Sequence, residues 1–427
     1  MLYNGFIKIF YVQNVSNFFV LLNNSVDKSA VECYNKIMNF HKIKEKIAMR
    51  NKKNAIPKIV EFNRDIEHIM HASCRWGFHG HGIENKAKTF AMLVGADFHG
   101  CGARFDAMID YLNYYDALDC GIQMGDLMPS NFTEDDSWYS KGVKKSKKPF
   151  FGVLGNHDVG NNKNPSVCGT QEMAFERFFA PFAKQMGVED LQKTYYVRYF
   201  DRYKIALIVL DTQETPLDKD ENGNYIIGRG TQAYSQEQMQ WLTKTLESVP
   251  AEYHVIIAMH NFLHDRETVA CNFSQLDVPY DMGDMPSAYG HCEVLTDIVN
   301  AWKNGEALKG LYKASYQEEY FPPIQIDCDF SSRGKGEFVG YFVGHNHRDY
   351  YAVSKKYPDQ SIVAFISAAD DLWQNYGCDL ARAKDTKAHD ALTVVSVDTN
   401  LKEVRLVRVG SNITMDLVDR TYFTFKY

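Results

Sequence analysis

Several features are missing from this sequence, and each absence excludes something. Its nine cysteines (Cys33, Cys74, Cys101, Cys120, Cys168, Cys271, Cys292, Cys328 and Cys378) are odd in number and include no CxxC pair. That argues against a disulfide framework and for reduced thiols in a cytoplasmic protein. No stretch supplies the ~20 uninterrupted apolar residues of a membrane span. The nearest approach, Phe6 to Leu22, is broken by Lys8, Gln13, Asn14, Ser16 and Asn17. A basic segment, an apolar segment and a small-residue cleavage site do not follow one another at the amino terminus, so no signal peptide is expected. Positive charge is not in excess: 47 Lys and Arg against 54 Asp and Glu leave a net charge of -7. A dedicated nucleic-acid binder usually carries a strongly basic face, so this balance disfavours one. Internal repeats and low-complexity tracts are absent.

What is present is an ordinary globular chain of 427 residues, 45% hydrophobic and 24% charged, long enough for a large core. Residues 1–48 read as an extension of doubtful structure, foreign to the native protein, with Met49-Arg50-Asn51-Lys52-Lys53 as the natural start. Residues 49–88 read as a leader packing on the core. Residues 89–427 read as one domain, with an insertion at about 261–337 that suits a lid or a substrate selector.

Apolar runs predict strands at Phe90–Val94, Cys120–Met124, Phe150–Leu154, His254–Met259 and Phe338–Val343. Tyr195–Phe200 and Lys204–Leu210 read as a hairpin turning at Asp201-Arg202. Helical spacing covers Ala103–Tyr115, Gln236–Leu246 with Ser235 as its cap, and Cys292–Trp302. Asn131–Lys148 reads as a lysine-rich solvated loop. Ser361–Ser367, Ala391–Asp398 and Glu403–Val409 read as tail strands, and they suggest a second sheet packed on the first.

Short polar clusters close the apolar runs. They are Asp97-Phe98-His99, Gly125-Asp126, Gly155-Asn156-His157-Asp158, His260 and Gly344-His345-Asn346-His347. Ligands at the carboxyl ends of strands sit where open α/β sheets bind substrates. Carboxylate oxygen with imidazole nitrogen suits a borderline divalent ion. Asp126 follows a glycine and has two oxygens with which to bridge two cations. Such a pair, about 4 Å apart, is suited to clamping a phosphate and lowering the pKa of a bridging water. The choice of His260 rests on its place at the end of a strand. His254 begins that strand, and His264 follows it as an alternative ligand or substrate contact.

In this order, Asp-x-His, Gly-Asp, Gly-Asn-His-Asp, His and Gly-His-x-His, the motifs resemble the calcineurin-like metallophosphoesterase superfamily over about residues 89–410. The resemblance implies an α/β fold, a four-layer α/β/β/α sandwich of two mixed β-sheets flanked by helices. It implies two divalent metal ions (Mn, Fe or Zn), with Asp97, His99 and His347 on the first, Asn156, His260 and His345 on the second, and Asp126 between them. It implies a metal-bridging hydroxide as nucleophile on a phosphoester. His157 would face the substrate phosphate and assist the leaving group, with Asp158 orienting it. Pro129 stands where purple acid phosphatases carry a tyrosine, which argues against a tyrosinate-iron centre.

The expected substrate is a small phosphodiester or phosphomonoester such as a nucleotide, with no membrane partner. A DNA nuclease of the same superfamily and a non-catalytic scaffold are the alternatives. The first is disfavoured by the acidic balance, the second by the complete ligand set. Other residues stay open. Cys101 is a thiol ligand or a buried thiol at a helix start. Arg104 is a phosphate contact or a surface residue. His79-Gly80-His81, with His68 and His71, is a further metal site or a loop. Asp265, Arg266, Asp281, Asp284 and His291 in the insertion are candidate ligand contacts.

Overall fold

The computed structural model describes residues 89–264, 266–271, 291, 293–314, 317–347, 349–365, 367–368, 390–410 and 422–427. The expectations for residues 1–88, including His68, His71, His79 and His81, lie outside the described residues. So do those for Asp265, Asp281 and Asp284.

The elements in chain order are β1 (Thr89–Gly95), α1 (Gly102–Tyr114), β2 (Cys120–Gln123), α2 (Ser137–Lys145), β3 (Phe150–Gly152), α3 (Gln171–Phe178), α4 (Ala183–Met186), β4 (Tyr196–Phe200), β5 (Ile205–Val209), α5 (Gln236–Ser248), β6 (His254–Met259), β7 (Arg266–Cys271), α6 (Val294–Asn304), β8 (Ala307–Tyr312), β9 (Ile324–Asp329), β10 (Glu337–Val343), β11 (Tyr350–Ser354), β12 (Ser361–Ala364), β13 (Ala391–Asp398), β14 (Glu403–Gly410) and β15 (Tyr422–Lys426). Among them, no helix is long and apolar enough to cross a membrane.

Two mixed sheets carry the fold. The first has six strands in the order β15-β14-β13-β1-β2-β3, and the second has seven in the order β4-β5-β6-β10-β12-β11-β7. Parallel strands occupy one stretch of each: β1, β2 and β3 in the first, β5, β6, β10 and β12 in the second. Near-continuous apolar runs produce such strands because both faces are covered. In β5, Ile205, Leu207 and Val209 join the core shared with the first sheet. Ala206 and Ile208 point the other way, into a second core cluster that also holds Met239 and Leu242 of α5 and Ile298 and Trp302 of α6. That alternation is the strand period of two. Phe90 of β1 meets Phe200 of β4 at 4.6 Å between ring centroids, which joins the two sheets. Phe105 of α1 packs edge-on against Phe150 of β3 at 5.3 Å, on the opposite face of the first sheet. The layers therefore run α/β/β/α, as expected.

Ser235 caps α5 by accepting the Gln238 amide. Two other expectations change. The stretch from Asn131 to Lys148 is not all loop, because it contains α2. There Tyr139 and Val143, four residues apart, are buried, and the adjacent lysines hide that apolar pair in the sequence. A Cβ on Gly142 would collide with the Phe105 ring, so this glycine lets α2 approach α1. The tail strands do not build the second sheet together. β12 joins it, whereas β13 inserts beside β1, antiparallel, with β14 on its other edge. All eight residues of β13 are buried, so both faces of this strand are covered. Within the insertion α6 is present, and β7 extends the second sheet by pairing with β11.

Candidate metal centre

The parallel strands of both sheets end at one place. Asp97 follows β1, Asp126 follows β2, Asn156 follows β3, His260 follows β6, and His345 and His347 follow β10. Backbone bonds stitch these ends together: the Asp97 amide donates to the Gly125 carbonyl at 3.0 Å and the Gly344 amide to the His260 carbonyl at 2.9 Å. The Asp97 carboxylate accepts the His345 amide at 3.0 Å, linking β1 to β10 across the sheets.

The chain turns sharply to make these joins. Asp97, His99, Asp126, His345 and His347 have φ of 51°, 44°, 53°, 66° and 55°. Residues with side chains rarely adopt this left-handed conformation, and it persists where surrounding structure enforces it. Gly125, at φ 93°, leaves room for the His260 ring, which a Cβ would strike.

Two donor sets result. In one, Asp97, His99, Asp126 and His347 each offer an atom within 4.8 Å of the others; in the second, Asp126, His260 and His345 do the same. His99 Nε2 lies 3.1 Å from His347 Nε2, and His347 Nε2 lies 3.6 Å from Asp97 Oδ1. In the second set Asn156 Oδ1 is 3.1 Å from His260 Nε2 and 3.1 Å from His345 Nδ1. Asp126 Oδ2 serves both, at 3.2 Å from His260 Nε2 and 3.8 Å from His99 Nε2. The structure thus brings together all seven residues expected as ligands. His260 is aimed by its other nitrogen, which donates to the Met124 carbonyl at 2.7 Å.

Asp97, Asp126 and His260 are fully buried, while His345 and His347 are part-exposed and mark the open side. Burial drives the Asp97 carboxyl well above its usual range, with repulsion from Asp126 adding to it and His260 opposing it. Burial opposes the Asp126 carboxylate too, but His260, His157 and His99 together hold its carboxyl well below the usual range. Burial lowers His99 to about 4, and burial with repulsion from His99 lowers His347 well below its usual value. His260 is raised to about 9, burial being outweighed by Asp126 and Asp97. Neutral His99 and His347 beside an ionised Asp126 are the protonation states a divalent ion requires, whereas Asp97 and His260 would each release a proton on binding one. The donor set is chemically fit for one.

His157 stands beside this cluster. Its amide donates to Asp126 Oδ1 at 2.8 Å, its ring meets His99 edge-on at 4.6 Å, and its Nδ1 faces the Pro129 carbonyl. The expectation that Asp158 orients this ring is not met. Asp158 is fully buried and its two oxygens accept the Met128 amide at 2.9 Å and the Gly155 amide at 2.8 Å. It ties two ligand loops together, and the Pro129 carbonyl takes the orienting place. A backbone carbonyl has no side-chain signature, so the sequence gives no sign of it.

Gln123 is a second residue not singled out in advance. Its side chain accepts the Gly125 amide at 2.6 Å and donates to the Val153 carbonyl at 2.9 Å, bracing β2 against β3. A glutamine inside an otherwise apolar strand was the available signal. Of the open candidates, Cys101 is part-exposed at the start of α1 and belongs to neither donor set. Arg104 is not at the surface: it is buried in an ion pair with Asp390 at 2.6 Å. His254 bonds to the Tyr427 hydroxyl at 2.9 Å, His264 is buried outside both sets, and His291 Nε2 contacts the Pro322 carbonyl at 2.8 Å.

No protein-family model matches the sequence, and no curated protein matches it. Among solved structures, the chain is similar to a conserved uncharacterised protein of Streptococcus pneumoniae described as a predicted phosphoesterase, with 11% identity, TM-score 0.30, and 79% of this chain and 98% of that one covered. It is similar to phosphopantetheinyl hydrolase of Mycobacterium tuberculosis, with 12% identity, TM-score 0.32 and coverage of 66% and 90%. It is also similar to a 5'-nucleotidase precursor of Thermus thermophilus, with 10% identity, TM-score 0.31 and coverage of 72% and 51%.

Proposed function

We propose that this chain is a metal-dependent phosphoesterase that holds two divalent ions. Asp97, His99 and His347 bind one, Asn156, His260 and His345 bind the other, and Asp126 lies between them. The observation that carries this reading is the shared carboxylate. Asp126 belongs to two donor sets at once, the first made wholly of residues with left-handed backbone (Asp97, His99, Asp126, His347) and the second sharing that conformation at Asp126 and His345. Nitrogen and oxygen donors suit Mn, Fe or Zn.

When bound, two such ions supply charge for the phosphoryl oxygens and lower the pKa of a water beside them. The protein's own groups do the rest. No side-chain nucleophile is required, because water displaces the leaving group in line. With Nδ1–H held on the Pro129 carbonyl, the His157 ring presents Nε2, 3.9 Å from Asp126 Oδ2. A proton carried on that nitrogen would pass to the departing oxygen, with His157 as general acid. Asp158 keeps the Asn156 and Asp126 loops in register. Substrate enters from the part-exposed His345 and His347 side, and a small phosphodiester or phosphomonoester such as a nucleotide fits this chemistry.

The test is hydrolysis of bis-p-nitrophenyl phosphate beside p-nitrophenyl phosphate with Mn²⁺, against an EDTA control. Cleavage that EDTA abolishes supports the reading, and the preferred substrate separates diesterase from phosphatase. Two bound ions with no cleavage of either compound or of a nucleotide panel would favour a non-catalytic scaffold.

A further inference from the structure

We propose that Asn161, four residues beyond His157, is a catalytic residue that donates a hydrogen bond to the departing oxygen of the phosphoester. This rests on the hydrolase reading above and adds a residue to it. The Pro129 carbonyl takes the Nδ1 side of the His157 ring, so Nε2 is the nitrogen left for substrate. Asn161 Nδ2 lies 3.5 Å from that Nε2. Asn161 is exposed and His157 part-exposed, so a substrate can reach both.

An exposed side chain needs a reason to stay in one place, and a glycine supplies it. A Cβ on Gly230 would lie 1.8 Å from Asn161 Oδ1, and the three heavy atoms nearest to it, apart from its own chain neighbours, all belong to the Asn161 carboxamide. Gly230 does not have a positive φ, so its missing side chain makes room for that carboxamide rather than for a turn. Backbone bonds clasp the two loops. The Arg229 amide donates to the Asn162 carbonyl at 2.9 Å, the Tyr225 amide to the Lys163 carbonyl at 2.8 Å and the Asn161 amide to the Ser130 carbonyl at 3.2 Å. Arg229 is itself buried and donates to the Thr215 hydroxyl at 2.5 Å, which anchors the Gly230 side of the clasp.

Two N–H donors at this spacing can share one acceptor oxygen, since each reaches about 2.9 Å. With a proton on His157 Nε2, both groups are donors, and an oxygen seated between them accepts from both. As the bond from phosphorus to the departing oxygen breaks, its electron pair stays on that oxygen. The Nε2 proton passes to one lone pair, and the Asn161 N–H holds another. Water forms the new bond to phosphorus and releases a proton to solvent. The second donor counts most for poor leaving groups, where charge on the departing oxygen is largest.

The experiment measures hydrolysis of p-nitrophenyl and phenyl esters, as phosphate monoesters and as methyl phosphodiesters, by full-length protein with Mn²⁺. It compares wild type, Asn161→Ala, Gly230→Ala, His157→Ala, and Asn161→Ala combined with each of the other two. Bound metal and Tm are recorded for all. Asn161→Ala should slow the phenyl ester by about 10–100-fold, as for one hydrogen bond to a charged oxygen. The nitrophenyl ester should lose much less, with metal content and Tm unchanged. Gly230→Ala displaces the amide, so it should do the same and add nothing to Asn161→Ala. The loss should persist in the His157→Ala background, because the contact is to substrate. A residue that acts only by orienting the His157 ring costs nothing once the ring is gone, which a double-mutant cycle reads. A wild-type rate in Asn161→Ala, an equal loss on both esters, or a loss that vanishes beside His157→Ala would overturn the assignment. So would lost metal or a lower Tm in Asn161→Ala, which would mark a structural role. A wild type that cleaves none of these esters and no nucleotide would instead overturn the hydrolase reading on which the assignment stands.

Discussion

Two clusters of buried carboxyl groups occupy this molecule, and they are built on opposite principles. At the Asp211–Glu214 cluster, by the amino end of α5, ordinary donors satisfy the acids. Asp211 accepts the Thr194 hydroxyl at 2.6 Å and the Gln213 amide at 2.6 Å. Glu214 accepts the Ser235 amide at 2.8 Å and the Gln238 side chain. None of these residues has a positive φ. At the Asp97–Asp126 cluster the partners include imidazole nitrogens that converge on the carboxylates and on one another, and the backbone is strained at five positions. Burying charge is costly in either place. The first cluster meets that cost with hydrogen bonds and with the proton that Glu214 retains. In the second, neighbouring imidazole nitrogens face one another 3.1 Å apart, an arrangement that makes sense around a cation. Burial of acids alone does not mark a site; the kind of partner does.

The largest test of this contrast is to remove the shared carboxylate. Asp126→Ala should abolish the retention of two ions and lower turnover by at least about 10³-fold, the upper end of what one lost electrostatic stabiliser costs. Glu214→Gln should leave metal content and turnover near wild type. Bound metal and initial rates measured on both variants check it, and equal loss in the two would erase the distinction.

His157→Ala sharpens the picture within the Asp97–Asp126 cluster. It should leave two ions bound and slow substrates with poor leaving groups by about 10²–10⁴-fold, with a much smaller loss for p-nitrophenyl esters. Rates across a series of leaving groups provide the check. A uniform loss would rule out proton donation.

Chelation should act on one cluster only. Ions that bind the folded state stabilise it, by about 2.7 kcal/mol at a concentration one hundred times Kd. EDTA should therefore lower Tm in the wild type and in Glu214→Gln by the same amount, and leave Asp126→Ala unmoved. Scanning calorimetry with and without Mn²⁺ reads this directly.

The Asp97–Asp126 cluster was the more legible of the two in the sequence. Its residues end apolar runs, so a strand period and a polar stop locate each of them, and His260 was separable from His254 and His264 by position alone. Legibility stopped where partners are distant or lack a side chain. The pairing of β13 with β1 joins residues some three hundred positions apart, and alternation within β13 does not name its neighbour. The apolar pair of α2 is masked by lysines. The Pro129 carbonyl behind His157 carries no sequence signal. The Asp211–Glu214 cluster escaped notice because a completed hydrogen-bond network is built from common residues at no fixed spacing.

That second cluster yields the smallest effect, and its sign can be worked out. Burial, with Asp211 adding repulsion, raises the Glu214 carboxyl from 4.5 to about 8. The folded protein therefore holds a proton that the unfolded chain releases above about pH 4.5. Stability falls with rising pH wherever the folded state binds more protons. The contribution of Glu214 is then fully present below pH 4.5 and is lost as pH rises through about 8. Glu214→Gln cannot ionise and keeps a carbonyl oxygen for the Ser235 amide and the Gln238 side chain. Its Tm should match wild type near pH 5 and exceed it at pH 9, with the ions chelated in both so that only this cluster titrates. A constant difference across that range would mean that Glu214 is ionised in the folded protein, and its burial would then have to be offset by its two donors alone.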